Sequence, residues 1–157
     1  MHFWRVLTTF MKILILMRHG QASFGAMADY DRPLTPAGQE QARRAAQNLL
    51  RRNLRPTLLL ASPLLRTQQT GQIVSEVLQV PPHTAFDLDG RLSAQGLVQW
   101  AQEQLDTADS VLLIGHNPNV SLAAGLLSGR YHSFGPGDWA AFDWTDPQHP
   151  KYLEEEK

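Results

Sequence analysis

Short apolar runs alternate along this chain with longer stretches in which apolar residues return every three or four positions. The runs predict strands at Lys12–Met17, Thr57–Ala61, His83–Phe86 and Ser110–Ile114. A last strand falls within Asp138–Trp144, after a hairpin-like return through Gly135-Pro136-Gly137. The periodic stretches predict four helices. The first opens at Thr35-Pro36, aligns Ala42, Ala45, Ala46, Leu49 and Leu50, and closes near Asn53. The second follows Ser62-Pro63, aligns Thr70, Ile73, Val74, Val77 and Leu78, and stops at Pro81-Pro82. The third aligns Ala94, Leu97, Val98, Ala101 and Leu105, and the fourth runs from Asn117-Pro118 to Ser128-Gly129. Strand followed by helix, repeated, is the βαβ signature of a sheet with parallel strands covered by helices.

Thr35, Ser62 and Asn117 each precede a proline and are expected to cap a helix with their side chains. Ser62 and Asn117 also follow directly on strand ends, so free helix N–H groups face the carboxyl edge of the sheet, where α/β folds bind ligands. The strands deliver Arg18, His19, Arg66 and His116 to the same edge. Two arginines and two histidines make a positive pocket the size of a phosphate, and the planar arginine fork holds two oxygens without losing its charge. Arg66 stands in a first helical turn, where the helix dipole disfavours a cation, and a bound anion supplies the reason.

At 157 residues, with 43% hydrophobic and 18% charged positions, the chain suits one compact domain. That domain is expected over residues 11–145, with 1–10 an upstream extension before a natural start at Met11-Lys12. Residues 146–157 are expected to be a C-terminal tail whose Glu154-Glu155-Glu156 run is solvated. The apolar stretch Phe3–Met17 is interrupted by Arg5, Thr8, Thr9 and Lys12 and is too short to span a bilayer; cleaving it as a signal peptide would remove a core strand. A net charge of −1 provides no general field for nucleic acid, so anion affinity must come from a site. The lack of cysteine removes thiol chemistry and disulfides and fits a reducing compartment, by default the cytoplasm. Two histidines flanked by fixed arginine cations, without a carboxylate set, make a poor divalent site, so neither metal nor other cofactor is expected.

The segments Leu16-Met17-Arg18-His19-Gly20, Arg32-Pro33-Leu34-Thr35-Pro36-Ala37-Gly38, Ala61-Ser62-Pro63-Leu64-Leu65-Arg66-Thr67-Gln68-Gln69-Thr70 and Ile114-Gly115-His116-Asn117-Pro118 resemble the histidine phosphatase superfamily, also called phosphoglycerate mutase-like. The resemblance runs from about Met11 to about Phe142, and the short length and the Asp31-Arg32-Pro33-Leu34-Thr35 run look most like its SixA-type protein phosphohistidine phosphatases. It implies an α/β fold, a single-domain three-layer αβα sandwich with a mostly parallel central sheet and no large lid insertion. It also implies that His19 attacks phosphorus in line and is transiently phosphorylated, while Arg18, Arg66 and His116 hold the equatorial oxygens. His19 must then be neutral, with its other ring nitrogen tied to a main-chain carbonyl.

Many relatives carry an acidic residue after the third strand to protonate an alkoxide leaving group. Here that stretch is Phe86–Leu92, with Asp87 and Asp89 as candidate general acids, and neither stands at the family's spacing. A missing acid matters less for an imidazole leaving group, which titrates at about 6.5, than for an alkoxide. The favoured substrate is therefore phosphohistidine on a signalling or phosphotransfer protein. Alternatives are a small-molecule phosphate ester and a phosphate-binding regulatory module without turnover. The short Arg66–His116 interval leaves the site open, which suits a phosphorylated protein and argues against mutase chemistry in a closed site. Arg32 is a secondary candidate for substrate contact. Gln21, Ser23 and Asn117 read equally as phosphate contacts and as loop and cap residues, His2, His83, His132 and His149 as exposed or satisfied histidines, and Arg43, Arg44, Arg51 and Arg52 as a solvated face.

Overall fold

Parallel strands buried on both faces need apolar side chains at every position, and the unbroken runs at Ile13–Arg18 (β1), Leu58–Ala61 (β2) and Ser110–Gly115 (β4) supply them. The computed structural model describes residues 11–25 and 28–156; the expected 1–10 extension lies outside them. With Pro82–Thr84 (β3), Trp139–Asp143 (β5) and Lys151–Glu156 (β6) the strands form one sheet in the order β3-β2-β4-β1-β5-β6. The first four in that order are mutually parallel; β5 runs antiparallel to β1, and β6 antiparallel to β5. β3 ends two residues earlier than expected, and Phe86 belongs to a 3-10 turn, Phe86–Leu88.

The four helices are Pro36–Arg51 (α1), Leu65–Leu78 (α2), Ala94–Gln104 (α3) and Asn119–Ser128 (α4). Side chains alternate across a strand, so each strand serves two cores. Leu14, Leu16, Leu60 and Leu113 pack with Leu97 and Ala101 of α3 and Val120 and Ala124 of α4. On the other face Ile15, Met17, Leu59 and Ile114 pack with Ala46 and Leu49 of α1 and Val74 and Leu78 of α2. The result is the three-layer αβα sandwich, and truncating any one of these leucines to alanine would cost about 2–5 kcal/mol. No helix among the described residues is long and apolar enough to cross a membrane.

One of the three expected caps forms. Thr35 Oγ1 accepts the Gly38 N–H at 3.0 Å, with Pro36 opening α1. α2 starts two residues after Pro63, and Ser62 turns to His116 instead. α4 starts after Pro118, whose peptide bond with Asn117 is cis; the Asn117 side chain donates to the Phe134 carbonyl at 2.8 Å and accepts from the Ser121 hydroxyl at 2.7 Å.

The solvated tail is corrected more substantially. Lys151–Glu156 adds β6 to the β5 edge, where the antiparallel ladder pairs its main chain. Tyr152 packs edge-on against Phe142, with ring centroids 6.1 Å apart. Arg52, at the C-cap of α1, meets Glu154 at 2.9 Å and Arg130 meets Glu155 at 3.0 Å, so the acidic run is held by cations from remote segments.

Candidate active site

In the sheet β4 lies between β2 and β1, so the carboxyl ends of these three parallel strands are neighbours, with Arg18 opposite Gly115 and Ala61 opposite Ile114. The residues that follow each strand therefore open onto one spot, the usual ligand edge of such a sheet. The His19 N–H donates to the Gly115 carbonyl at 3.2 Å, and the His19 and His116 rings approach to 5.3 Å between centroids. Arg66, in the first turn of α2, points its Nε–H at His19 Nε2 over 3.3 Å.

That contact and one other assign the protons of His19. Nδ1 lies 2.6 Å from the Gly20 carbonyl oxygen, which can only accept, so Nδ1 carries the hydrogen. Nε2 is left with its lone pair in the pocket. Burial is the largest cause holding His19 well below the ordinary histidine range, at about 4; the Gly20 carbonyl opposes it, and the charges of Arg66, Arg18 and Arg32 add to it. His116 is pushed down to about 3, again chiefly by burial, then by His19 and Arg66, with Asp29 and Asp89 pulling the other way. Both rings are neutral at pH 7.

Arg18 donates from Nη1 to the Phe134 carbonyl at 2.9 Å. The loop carrying Phe134 is itself pinned, because the Gly137 N–H is shared between the Arg18 and His19 carbonyls at 3.1 Å each. Gly137 sits at φ 82°, a backbone conformation that excludes most side chains. Arg66 donates from Nη1 to the Asp29 carbonyl at 2.9 Å and reaches the Asp29 carboxylate at 3.4 Å. Two buried nitrogens of these residues, Arg18 Nε and His116 Nδ1, have no hydrogen-bond partner among the described residues. Buried polar nitrogens are rarely left that way.

The Arg66-Thr67-Gln68-Gln69-Thr70 stretch shows why its polar residues are consecutive: each reaches a different segment. Thr67 Oγ1 stands 3.5 Å from His116 Nε2, and the Gln68 amide donates to the Ser62 carbonyl at 2.7 Å. Gln69 Oε1 accepts the Leu34 N–H at 2.8 Å, and Thr70 Oγ1 accepts the Gly20 N–H at 3.1 Å while donating to the Arg66 carbonyl at 2.8 Å. Gly20 and Gly38 let the loop and the start of α1 touch through their main chains; a Cβ on either would strike a backbone carbonyl of the other segment.

Arg18, His19, Arg66 and His116 are thus brought together. The other candidates are engaged with other partners or exposed. Asp89 is taken up by the Arg91 main-chain N–H at 3.1 Å and guanidinium at 2.7 Å, and Asp87 is exposed, sharing with His116 only the lining of a narrow apolar cleft. Among the described residues, neither His19 nor His116 hydrogen-bonds a carboxylate. Arg32 braces the loop, donating to the Ser23 carbonyl and the Asp29 carboxylate beneath Phe24. His132 is satisfied, 2.7 Å from Ser128 Oγ, but in a buried cluster with Tyr152 and Phe142 that the sequence pattern left unseen. Ser62, Thr70, Asp29 and the Phe134 carbonyl went unrecognised as site residues; only the polar character of the first three was visible.

A sequence profile described as "Histidine phosphatase superfamily (branch 1)" matches residues 14–116. The phosphohistidine phosphatase SixA of Escherichia coli is 33% identical over 123 residues, 74% of this chain and 75% of its own length. An uncharacterized protein of Picosynechococcus sp. is 34% identical over 111 residues, 68% of this chain and 67% of its own. A solved structure of the protein histidine phosphatase SixA complexed with tungstate superposes with a TM-score of 0.84 at 25% identity, covering 92% of this chain and 96% of that one. Family profile, aligned relatives and fold agree: the chain belongs to the histidine phosphatase superfamily and is a phosphatase.

Proposed function

We propose that this phosphatase works through a phosphohistidine formed on His19 and that its substrate is a phosphohistidine carried by another protein. One observation carries the first half: His19 Nδ1–H is fixed on the Gly20 carbonyl, so Nε2 presents its lone pair inside a cluster of Arg18, Arg66 and His116. A tetrahedral oxyanion is the ligand such donors fit, and tungstate, the ion in the SixA structure, is one. In the first step the Nε2 lone pair forms the N–P bond as the bond to the leaving group breaks. The arginines and His116 hold the three equatorial oxygens, where charge is spread in a loose transition state. Water then attacks phosphorus, the N–P bond breaks, and its electron pair returns to Nε2. The cations that depress the His19 pKa make it a better leaving group in this second step.

The substrate half rests on the lack, among the described residues, of a carboxylate hydrogen-bonded to either histidine and on the short Arg66–His116 span, which has little length for a covering insertion. A phosphohistidine protonated on its other ring nitrogen expels a neutral imidazole, a weak base of pKa about 6.5, and needs less help than an alkoxide. Labelled phosphoprotein, quenched during turnover, is expected to leave label on His19, and His19→Ala is expected to abolish both label and turnover. Label elsewhere, or full activity of His19→Ala, refutes the mechanism.

Asp87 beside the His116 cleft favours a second reading, a small phosphate ester protonated by that residue. A panel pitting a phosphohistidine protein against phosphosugars decides. A preference for sugars that Asp87→Asn removes would establish the ester reading and sink the protein one.

A further inference from the structure

A neutral imidazole has one N–H, so one ring nitrogen donates and the other accepts. For His19 a carbonyl settles the choice; for His116 the neighbour is a hydroxyl, which can do either. Ser62 is completely buried, and its Oγ lies 2.6 Å from His116 Nε2. The same Oγ accepts the Leu64 N–H at 3.2 Å.

Two arrangements follow. If Nε2 carried the hydrogen, Ser62 Oγ would accept twice and its own proton would have no acceptor in a buried place. Nδ1 would then be a bare lone pair, and His116 would have no hydrogen to give an anion held by Arg18 and Arg66. If Ser62 donates its proton to Nε2, every polar atom of the serine is used and the ring hydrogen sits on Nδ1. Nδ1, like Arg18 Nε, is a buried nitrogen with no hydrogen-bond partner among the described residues, and as an N–H it becomes a second unspent donor. Thr67 Oγ1, at 3.5 Å from Nε2, is too distant to take the part of Ser62.

We propose that Ser62 is a positioning residue: its hydroxyl donates to His116 Nε2, fixes the Nδ1–H tautomer, and so makes His116 a hydrogen-bond donor to the phosphoryl group. This rests on the pocket being the phosphoryl site, but the tautomer is a property of the free protein. The polar residue after β2 is thus part of the site's proton arrangement and not a helix cap.

Long-range nitrogen–carbon-bound-proton NMR correlations of the ligand-free protein at pH 7 read the tautomer directly. Wild type is expected to show a pyrrole-type Nδ1 and a pyridine-type Nε2 for His116. Ser62→Ala is expected to move both shifts toward the Nε2–H form that a free imidazole favours, and Ser62→Thr to restore the wild-type pattern. With an aryl phosphate, Ser62→Ala should lower kcat by up to about 10²–10³-fold, as when a transition-state donor is lost, and Ser62→Thr should recover most of it. A pyrrole-type Nε2 in wild type overturns the proposal, with no variant needed. So does a Ser62→Ala protein that loses activity while keeping the wild-type tautomer. If His19→Ala retains turnover while the tautomer is as expected, the mechanism fails and the assignment of Ser62 to His116 stands.

Discussion

The two neutral histidines give the fold an acid sensitivity that can be worked out for His19. Its pKa is about 4 in the folded protein, against an ordinary value of about 6.5 in the unfolded chain. Between those values the unfolded state holds a proton that the folded state lacks, so stability rises with pH across the window and falls as acid is added. The slope from one such group is about 1.4 kcal/mol per pH unit, and the full effect, reached near pH 4, is about 3 kcal/mol. This is a large part of the 5–15 kcal/mol typical of a domain. Below the folded pKa both states are protonated and the contribution levels off. The perturbation is His19→Gln, and the assay is urea unfolding of variant and wild type between pH 7 and 4.5 in buffers without phosphate or sulfate. The wild type is expected to lose ground on the variant by about 2–3 kcal/mol over that range. Removing His19 also relieves His116, which His19 helps to depress, so the coupling widens the gap. Parallel stability curves would refute the buried neutral state, and with it the argument that Nε2 is unprotonated at pH 7.

Three further outcomes test other parts of the structure. Thr35→Ala removes the acceptor for the Gly38 N–H and should cost about 1 kcal/mol by urea midpoint, while Thr35→Ser should cost little. Arg66→Lys keeps the charge but cannot hold the Asp29 carbonyl and His19 Nε2 from one planar fork, so kcat with an aryl phosphate should fall about 10²-fold or more, with circular dichroism unchanged. Ending the chain after Pro150 removes β6 and uncovers the β5 edge; the Tyr152 packing alone accounts for about 2 kcal/mol, so the melting temperature should drop and light scattering should report association.

How far the sequence reveals this architecture depends on what a stretch of chain meets. β1, β2 and β4 are buried on both faces, so their apolar runs are unbroken and their ends are marked by polar residues; the candidates at those ends, Arg18, His19, Arg66 and His116, come out with them. β6 is an edge strand with one side in water. Its Tyr152 faces the core through a single large side chain, and its glutamates look solvated because Arg52 and Arg130, which meet them, are far away in sequence. Nothing within Lys151–Glu156 distinguishes that situation from a tail.

The site divides on the same principle. A residue that binds substrate must be charged or nucleophilic, and such types stand out at a strand end. A residue that aims another needs only one hydroxyl or carbonyl in the right direction, and direction is set by packing between elements. Ser62 before a proline has the type of a cap, and only the adjacency of β2 and β4 turns it to His116. Thr70 has the type of a helix-face residue, and only the approach of Gly20 to α2 makes it an acceptor for the N–H of the residue whose carbonyl fixes His19. The charged groups can therefore be read along the chain, whereas their proton states follow from contacts between strands and helices that the chain joins only when folded. That separates two kinds of substitution. Replacing Arg18 or Arg66 with alanine removes charge from the pocket, while Ser62→Ala leaves every charge in place and removes one hydrogen bond to the His116 ring.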